Sequence, residues 1–246
     1  MLIKIKKKRE NSYPYMINID NVYKSFGKKK VLKGISLNIE KGKISGLIGA
    51  NGAGKSTLMK IMVGLDHLDS GHISYDGISV EEKEKLNIGF MIEEPVFYQH
   101  LSGYENLSLI AGLYSNFNMD NISWALRQVG LEKRAKDKYK TYSLGMKQRL
   151  YFALSIMNKP DILVLDEPFN GVDPVTVIIF EKLLKEFSSN GSTILISSHE
   201  IRELQSFCDE VFIISSGTIG FHSKNPKEID LFSKFEEISK TTGEVE

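Results

Sequence analysis

The chain has a single cysteine, Cys208, among its 246 residues. An internal disulfide is therefore excluded, and a reducing cytosol is the compartment that this usage fits. Also lacking is any uninterrupted apolar run near the roughly 20 residues that a membrane-crossing helix needs. The N-terminus is basic but has no continuous apolar core and no small-residue cleavage site, so no secretory leader is expected there. Neither sign of charge is in excess, because 32 basic residues stand against 31 acidic ones and leave a net charge of +1. Such a balance supplies no general attraction to nucleic acid or to an acidic membrane, and no nucleic-acid partner is expected. The local exception is Lys4-Ile5-Lys6-Lys7-Lys8-Arg9, whose simplest reading is a solvated basic extension over residues 1–15. With 41% hydrophobic and 26% charged residues, the chain as a whole has the composition of a folded globular protein.

What is present is organised around one stretch. The run Gly49-Ala50-Asn51-Gly52-Ala53-Gly54-Lys55-Ser56-Thr57 follows an apolar segment at 44–48 and precedes a helix-like segment at 58–63. Strand, glycine loop and helix in that order fit Gly-x-x-x-x-Gly-Lys-Ser/Thr with the context the pattern requires. The glycines let backbone N–H groups turn inward around phosphate oxygens, and the following helix adds the positive end of its dipole. Lys55 is expected to reach β- and γ-phosphates, Ser56 to place its hydroxyl on Mg²⁺, and Thr57 to donate to phosphate oxygens. A nucleoside triphosphate site is the expectation.

In chain order, strand-like alternation begins near Met16, and a second strand pattern at 31–39 follows a turn at Gly27, which predicts an antiparallel lobe. Phe26 lies just before that turn, placed either to stack on an adenine ring or to join the core. A short strand at 70–75 ends in Asp76-Gly77. A buried strand at 88–92 runs into Glu93-Glu94-Pro95, two carboxylates at a strand end. Residues 102–158 carry no strand pattern: Ser102 is expected to cap a helix through Tyr114, and Asp120 another through Val129. This predicts a helical insertion between two halves of a sheet.

Ser143 and Gly145 then open a helix whose apolar side is expected to carry Leu150, Ala153, Leu154 and Met157. They form either a second phosphate-binding arrangement or a plain N-cap. The continuous apolar run 162–165 ends in Asp166-Glu167, an acid pair that is costly at a buried strand tip unless used. Asp166 is expected to act on Mg²⁺, and Glu167, facing the other side of the chain, to polarise an attacking water. Asn170 to Pro174 is a turn opening a helix through Phe187, and the strand 193–198 ends on His199. A hairpin turns around Gly217, and a charged helical tail covers 221–246.

These motifs, in this order and spacing, resemble the ATP-binding subunit of ABC transporters over about residues 16–220. In that family the loop Gly49 to Thr57 is Walker A, and Leu163 to Glu167 is Walker B with its catalytic Glu at Glu167. Tyr142 to Met146 stands at the signature, Asp173 at the D-loop acid, His199 at the switch histidine and Phe26 at the adenine-stacking aromatic. The resemblance implies a P-loop NTPase, RecA-like α/β core with an antiparallel β subdomain and a helical subdomain at about 100–158. It also implies ATP and Mg²⁺, a head-to-tail homodimer or a heterodimer with a second ATPase, and a separate transmembrane permease subunit. The location that goes with this is cytoplasmic, peripheral on the inner face of the cell membrane.

Two motifs depart from the usual pattern. Glu93 stands where the family has Gln, adding a negative charge beside the phosphates and the metal, where it would touch both Mg²⁺ binding and turnover. Leu144 and Met146 replace a Gly and the Gln of the signature. Both departures, Ile92-Glu93-Glu94-Pro95 and Ser143-Leu144-Gly145-Met146, resemble the bacitracin and lantibiotic self-protection branch. The alternative is a soluble ABC-type ATPase. It has against it the absence of a long coiled-coil insertion between Lys55 and Ser143 and of a second cassette.

Overall fold

The structure is a computed structural model that describes residues 15–93, 95–114 and 117–242. The basic run at 4–9 and Glu94 lie outside the described residues. Strand β1 (Tyr15–Phe26) and strand β2 (Lys29–Glu40) pair as an antiparallel hairpin closed at Gly27, whose φ of 59° is a left-handed conformation that glycine adopts without a Cβ clash. Strand β3 (Ile44–Ile48) leads into the glycine loop and helix α1 (Lys55–Met62). Strands β4 (Ser70–Tyr75) and β5 (Ile78–Ser79) follow, then β6 (Ile88–Met91).

Helices α2 (Gly103–Ala111), α3 (Asp120–Gln128) and α4 (Leu144–Ile156) intervene before β7 (Ile162–Leu165). Helix α5 (Pro174–Ser189), strand β8 (Thr193–Ser198) and helix α6 (Ile201–Phe207) come next. Strands β9 (Glu210–Ser215) and β10 (Thr218–Ser223) and helix α7 (Leu231–Thr242) end the described chain.

Two sheets result, one antiparallel in the order β2-β1-β4-β5 and one in the order β10-β9-β3-β8-β7-β6. In the second, all pairs except β9–β10 are parallel. Its central strands are buried along their whole length, which is why β3, β7 and β8 read as unbroken apolar or small-residue runs. Side-chain alternation sends Leu47, Val164, Leu195 and Phe212 to one face. There they meet Leu58 and Met62 of α1 and the inner residues of the antiparallel sheet. Ile48, Leu163, Leu165, Ile194 and Ile196 point to the other face, against α4, α5 and α6. Helix α1 is thus packed between the two sheets.

Several expectations need correction. The helical insertion falls in chain order between β3 and β6 on one side and β7 to β10 on the other, yet β6 and β7 are hydrogen-bonded neighbours at one edge of the sheet. Ser102 caps α2 through a reciprocal box with Glu105, but the helix stops at Ala111, before Gly112. Asp120 is the first helical residue of α3 rather than its cap, and its N–H donates to Asn118 Oδ1 at 3.0 Å. Helix α4 is not amphipathic in its second half, since Tyr151, Phe152 and Ile156 are buried along with Leu150 and Ala153. It lies between β6, α3 and α5, and Phe152 stacks on Phe180 with centroids 4.0 Å apart. The C-terminal tail is not merely charged surface, because Leu231 is fully buried where α7 packs on β9 and β10.

Gly89 shows how closely α4 approaches the sheet. A Cβ there would lie 2.0 Å from Ser155 O and 2.9 Å from both Leu163 and Pro160 side chains. Gly89→Ala is expected to cost about 3 kcal/mol through overpacking against a backbone carbonyl that cannot yield cheaply. A urea-unfolding midpoint measurement checks this, and a loss below about 1 kcal/mol would contradict the packing described.

Candidate functional site

The parallel strands bring their C-terminal tips to one edge, in the lateral order β3, β8, β7, β6. Each tip carries polar residues: the glycine loop after β3, His199 after β8, Asp166 and Glu167 after β7, and Glu93 after β6. Crevices at such edges are where open α/β sheets bind ligands.

The loop owes its course to glycine at specific points. Gly52 and Gly54 have φ of 84° and 114°, and a Cβ on Gly49 would sit 2.6 Å from Ile214 O. Helix α1 starts at Lys55 with Gly54 as N-cap and no side-chain cap, so no side chain competes for its first-turn N–H groups. Those donors and the helix dipole together suit an anion such as phosphate. Ser56 and Asn51 are exposed, Thr57 is half-buried, and Ala53 is buried, its N–H donating to Ala50 O at 3.2 Å.

Lys55 is 4% exposed, and its ammonium donates to Gly49 O at 2.6 Å and Ala50 O at 3.2 Å. The same nitrogen lies 3.4 Å from Glu167 Oε1. Glu167 Oε2 in turn is 3.1 Å from His199 Nδ1, so three strand tips meet through one carboxylate. Strand alternation, from which the sequence reading sets Glu167 opposite Asp166, is not what aims Glu167. The strand ends at Leu165, and Glu167 has a φ of 47°, so a left-handed turn aims it at the loop.

Ser197 links the two acids and was not singled out in the sequence. Its hydroxyl donates to Asp166 Oδ1 at 2.5 Å and accepts the Glu167 N–H at 3.0 Å. The available signal was a serine inside an otherwise apolar, buried strand. Asp166 N–H also donates to Met91 O at 2.8 Å, which ties β7 to the end of β6.

Glu93 has a φ of 61°, its carboxylate pairs with Lys60 of α1, and its carbonyl accepts the Tyr151 hydroxyl. The extra negative charge therefore meets a counter-charge on α1. No hydrogen bond or ion pair joins Glu93 to Ser56 or Asp166 among the described residues. Phe26, at the hairpin tip, is 52% exposed and so is not a core aromatic.

A second cluster forms where α4 meets α5. Ser143 is the N-cap of α4, its hydroxyl accepting Met146 N–H at 3.3 Å. Gly145 faces Asp173, with Oδ2 2.8 Å from where a Cβ would stand. Asp173 caps α5, accepting Thr176 N–H at 3.0 Å and Thr176 Oγ1 at 2.7 Å. Those bonds, the hydroxyl one foremost, hold its carboxyl below the usual range. Arg149 donates to Thr176 Oγ1 at 2.8 Å, and its Nη2 lies 3.7 Å from Asp173 Oδ1. Among the described residues, no hydrogen bond or ion pair connects this cluster to Lys55, Ser56, Asp166 or Glu167. Leu144 is 61% exposed beside it. Cys208 is buried, and burial pushes its thiol up, so it takes no part in this chemistry.

A phosphate-shaped loop at a helix N-terminus, faced by a lysine, a carboxylate and a histidine from adjoining strand tips, defines a nucleoside triphosphatase. The sequence profile of the ABC transporter family matches residues 32–170. The lantibiotic transport ATP-binding protein SrtF of Streptococcus pyogenes is 40% identical over 91% of this chain and 95% of its own length. The bacitracin transport ATP-binding protein BcrA of Enterococcus faecalis is 40% identical over 82% of this chain and 67% of its own. Among solved structures, an ATP-binding subunit of an ABC transporter superposes with a TM-score of 0.77 at 26% identity, covering 89% of this chain and 93% of that one. A bacterial ABC transporter cassette solved as a dimer does so at 0.77 and 26%, covering 85% and 99%. The chain belongs to the ABC transporter family, as an ATP-binding and ATP-hydrolysing subunit.

Ser197 holds both acids from a strand neither belongs to. Ser197→Ala is expected to lower ATP turnover about tenfold, the usual scale for losing a group that orients an acid from behind. Its melting temperature should stay near that of the parent. Turnover within about twofold of the parent would remove Ser197 from the site.

Proposed function

We propose that this subunit binds MgATP between two copies packed head to tail and uses its hydrolysis to drive a separate membrane subunit that removes a peptide antibiotic. The observation that carries the catalytic part is the convergence of Lys55, Glu167 and His199 at one sheet edge. Phosphate oxygens compete with the Gly49 and Ala50 carbonyls for the Lys55 ammonium. The N–H groups of Gly52 to Thr57 cradle the triphosphate, with Asn51 at the loop's outer lip, and Phe26 stacks on adenine. Glu167 takes a proton from the attacking water, and His199, already against Glu167, contacts the γ-phosphate.

For Mg²⁺ the donors are hard oxygens: the exposed Ser56 hydroxyl and the Asp166 carboxylate that Ser197 orients. Among the described residues no group of three His, Cys, Asp or Glu could hold a metal alone. That fits an ion completed by phosphate oxygens and water. When bound it neutralises charge on the β- and γ-phosphates. Glu93, anchored to Lys60, adjusts that charge balance from the tip of β6 rather than ligating directly.

Ser143, Gly145 and Asp173 stand apart from Lys55 within one chain, which supports their serving the nucleotide of the other copy, the Ser143 hydroxyl and Gly145 amide facing its γ-phosphate. Each site is then shared, and closure couples to the membrane subunit through the helices at 100–158 and the loop at Glu93. Among the described residues no helix is long and apolar enough to cross a membrane. In this reading the membrane subunit is a separate chain, and this one docks at its cytoplasmic face. The antibiotic-peptide assignment is supported by the names of SrtF and BcrA and by the strings at 92–95 and 143–146.

Glu167→Gln is expected to keep ATP binding, cut turnover at least about a hundredfold, and trap a dimer. Affinity purification of the tagged variant with ATP from solubilised native membranes should recover a multi-span membrane protein in stoichiometric amount. Recovery of soluble proteins alone would overturn the transporter coupling, and unaltered turnover would remove Glu167 from its role.

A further inference from the structure

Lys24 is 8% exposed, an unusual setting for an ammonium group. It lies on β1 two residues before Phe26, and the β1–β2 register shifts between Lys24 and Ser25, so the two side chains are brought together at an irregularity of the strand. Its Nζ donates to Asp66 Oδ1 at 2.7 Å and to His67 O at 2.6 Å, and sits 5.0 Å from the centroid of the Phe26 ring. An ammonium has three N–H donors, and here two carry charge-assisted or carbonyl bonds while the ring face takes the third direction. Asp66 is held below its usual range, first by the bond from Lys24.

The surroundings make this more than a surface pair. Ser25 N–H donates to Asp69 Oδ2 at 2.7 Å, and Asp69 N–H donates to Tyr23 O at 2.9 Å. The segment 66–69 leaves the C-terminal end of α1, the helix whose other end is the phosphate loop. The hairpin tip bearing Phe26 is therefore stitched to the exit of that helix at several points. Without such an anchor, a half-exposed phenyl ring beside a glycine turn has free rotamers to lose when it binds anything.

We propose that Lys24 is a positioning residue for the nucleotide base. Its ammonium covers the inner face of Phe26, fixes the ring plane, and draws π density toward itself. The outer face is left as a flat, electron-depleted platform on which the electron-rich adenine stacks. This rests on the reading of Phe26 as the base platform, and the test separates the two.

Calorimetric titration of the full chain with MgATP and with magnesium tripolyphosphate, which has no base, reads the effect. Lys24→Met is expected to weaken ATP about fivefold while leaving tripolyphosphate within about twofold, and Lys24→Arg to restore most of the loss. In a Phe26→Ala background, Lys24→Met should have no further effect on ATP. The charge-balanced variant Lys24→Met with Asp66→Asn should repeat the ATP-selective loss, without an unpaired acid. Equal weakening of both ligands, or ATP binding unchanged by Lys24→Met, would overturn the proposal. If Phe26→Ala alone leaves ATP binding unchanged, the platform reading falls and the Lys24 proposal with it. If Phe26→Ala weakens ATP and Lys24→Met does not, only the Lys24 proposal falls.

Discussion

The contact between Lys55 and Glu167 spans strands that do not touch. Lys55 follows β3 and Glu167 follows β7, with β8 between them, and the 3.4 Å approach passes over the tip of β8 where His199 stands. Parallel pairing of β3, β8 and β7 puts both tips at the same edge, where the two side chains reach across β8. The left-handed turn at Glu167 completes it, since an extended residue there would carry the carboxylate away from the loop. The glycine loop, Ser197 and the buried runs behind them all serve to hold these tips in place.

Three acids at one sheet edge would repel each other, and the structure deals with each separately. Glu167 faces the Lys55 ammonium, Asp166 accepts a short bond from the Ser197 hydroxyl, and Glu93 is turned toward Lys60. The exposed Lys60–Glu93 pair contributes little to stability, since ion pairs in water are worth about 0–1 kcal/mol. Its consequence lies in direction, because it aims a carboxylate at α1 and leaves the Glu93 carbonyl for Tyr151 of α4. The loop after β6 is thereby held to both the phosphate-loop helix and the helix that carries Ser143.

The second cluster obeys the same logic at a different place. Asp173 is held by Thr176 and approached by Arg149, which binds the start of α5 to the first turns of α4. Close packing at Gly89 presses the far end of α4 against β6. Helix α4 is therefore packed tightly on the sheet edge at its buried end, while Ser143 and Leu144 are exposed at the other. Among the described residues, this cluster and the one around Lys55 share no hydrogen bond or ion pair, so one chain carries them as two distinct groups.

Much of this was legible in the order of residues, because its causes are local. Glycine at 49, 52 and 54 before Lys55, buried apolar runs ending in Asp166 and His199, and the Ser102 and Ser143 caps all depend on neighbours in the chain. The sequence therefore determined the strand–loop–helix, the strand tips and the family. Tertiary structure alone decided which tips are adjacent, because strand order follows from packing and not from succession. It decided that Glu167 turns left-handed, that Ser197 reaches two acids of another strand, and that the second half of α4 is buried nearly all round. It also paired Lys24 with Phe26 and Lys60 with Glu93, since a long flexible cation shows no preference for a partner until the fold brings one within reach.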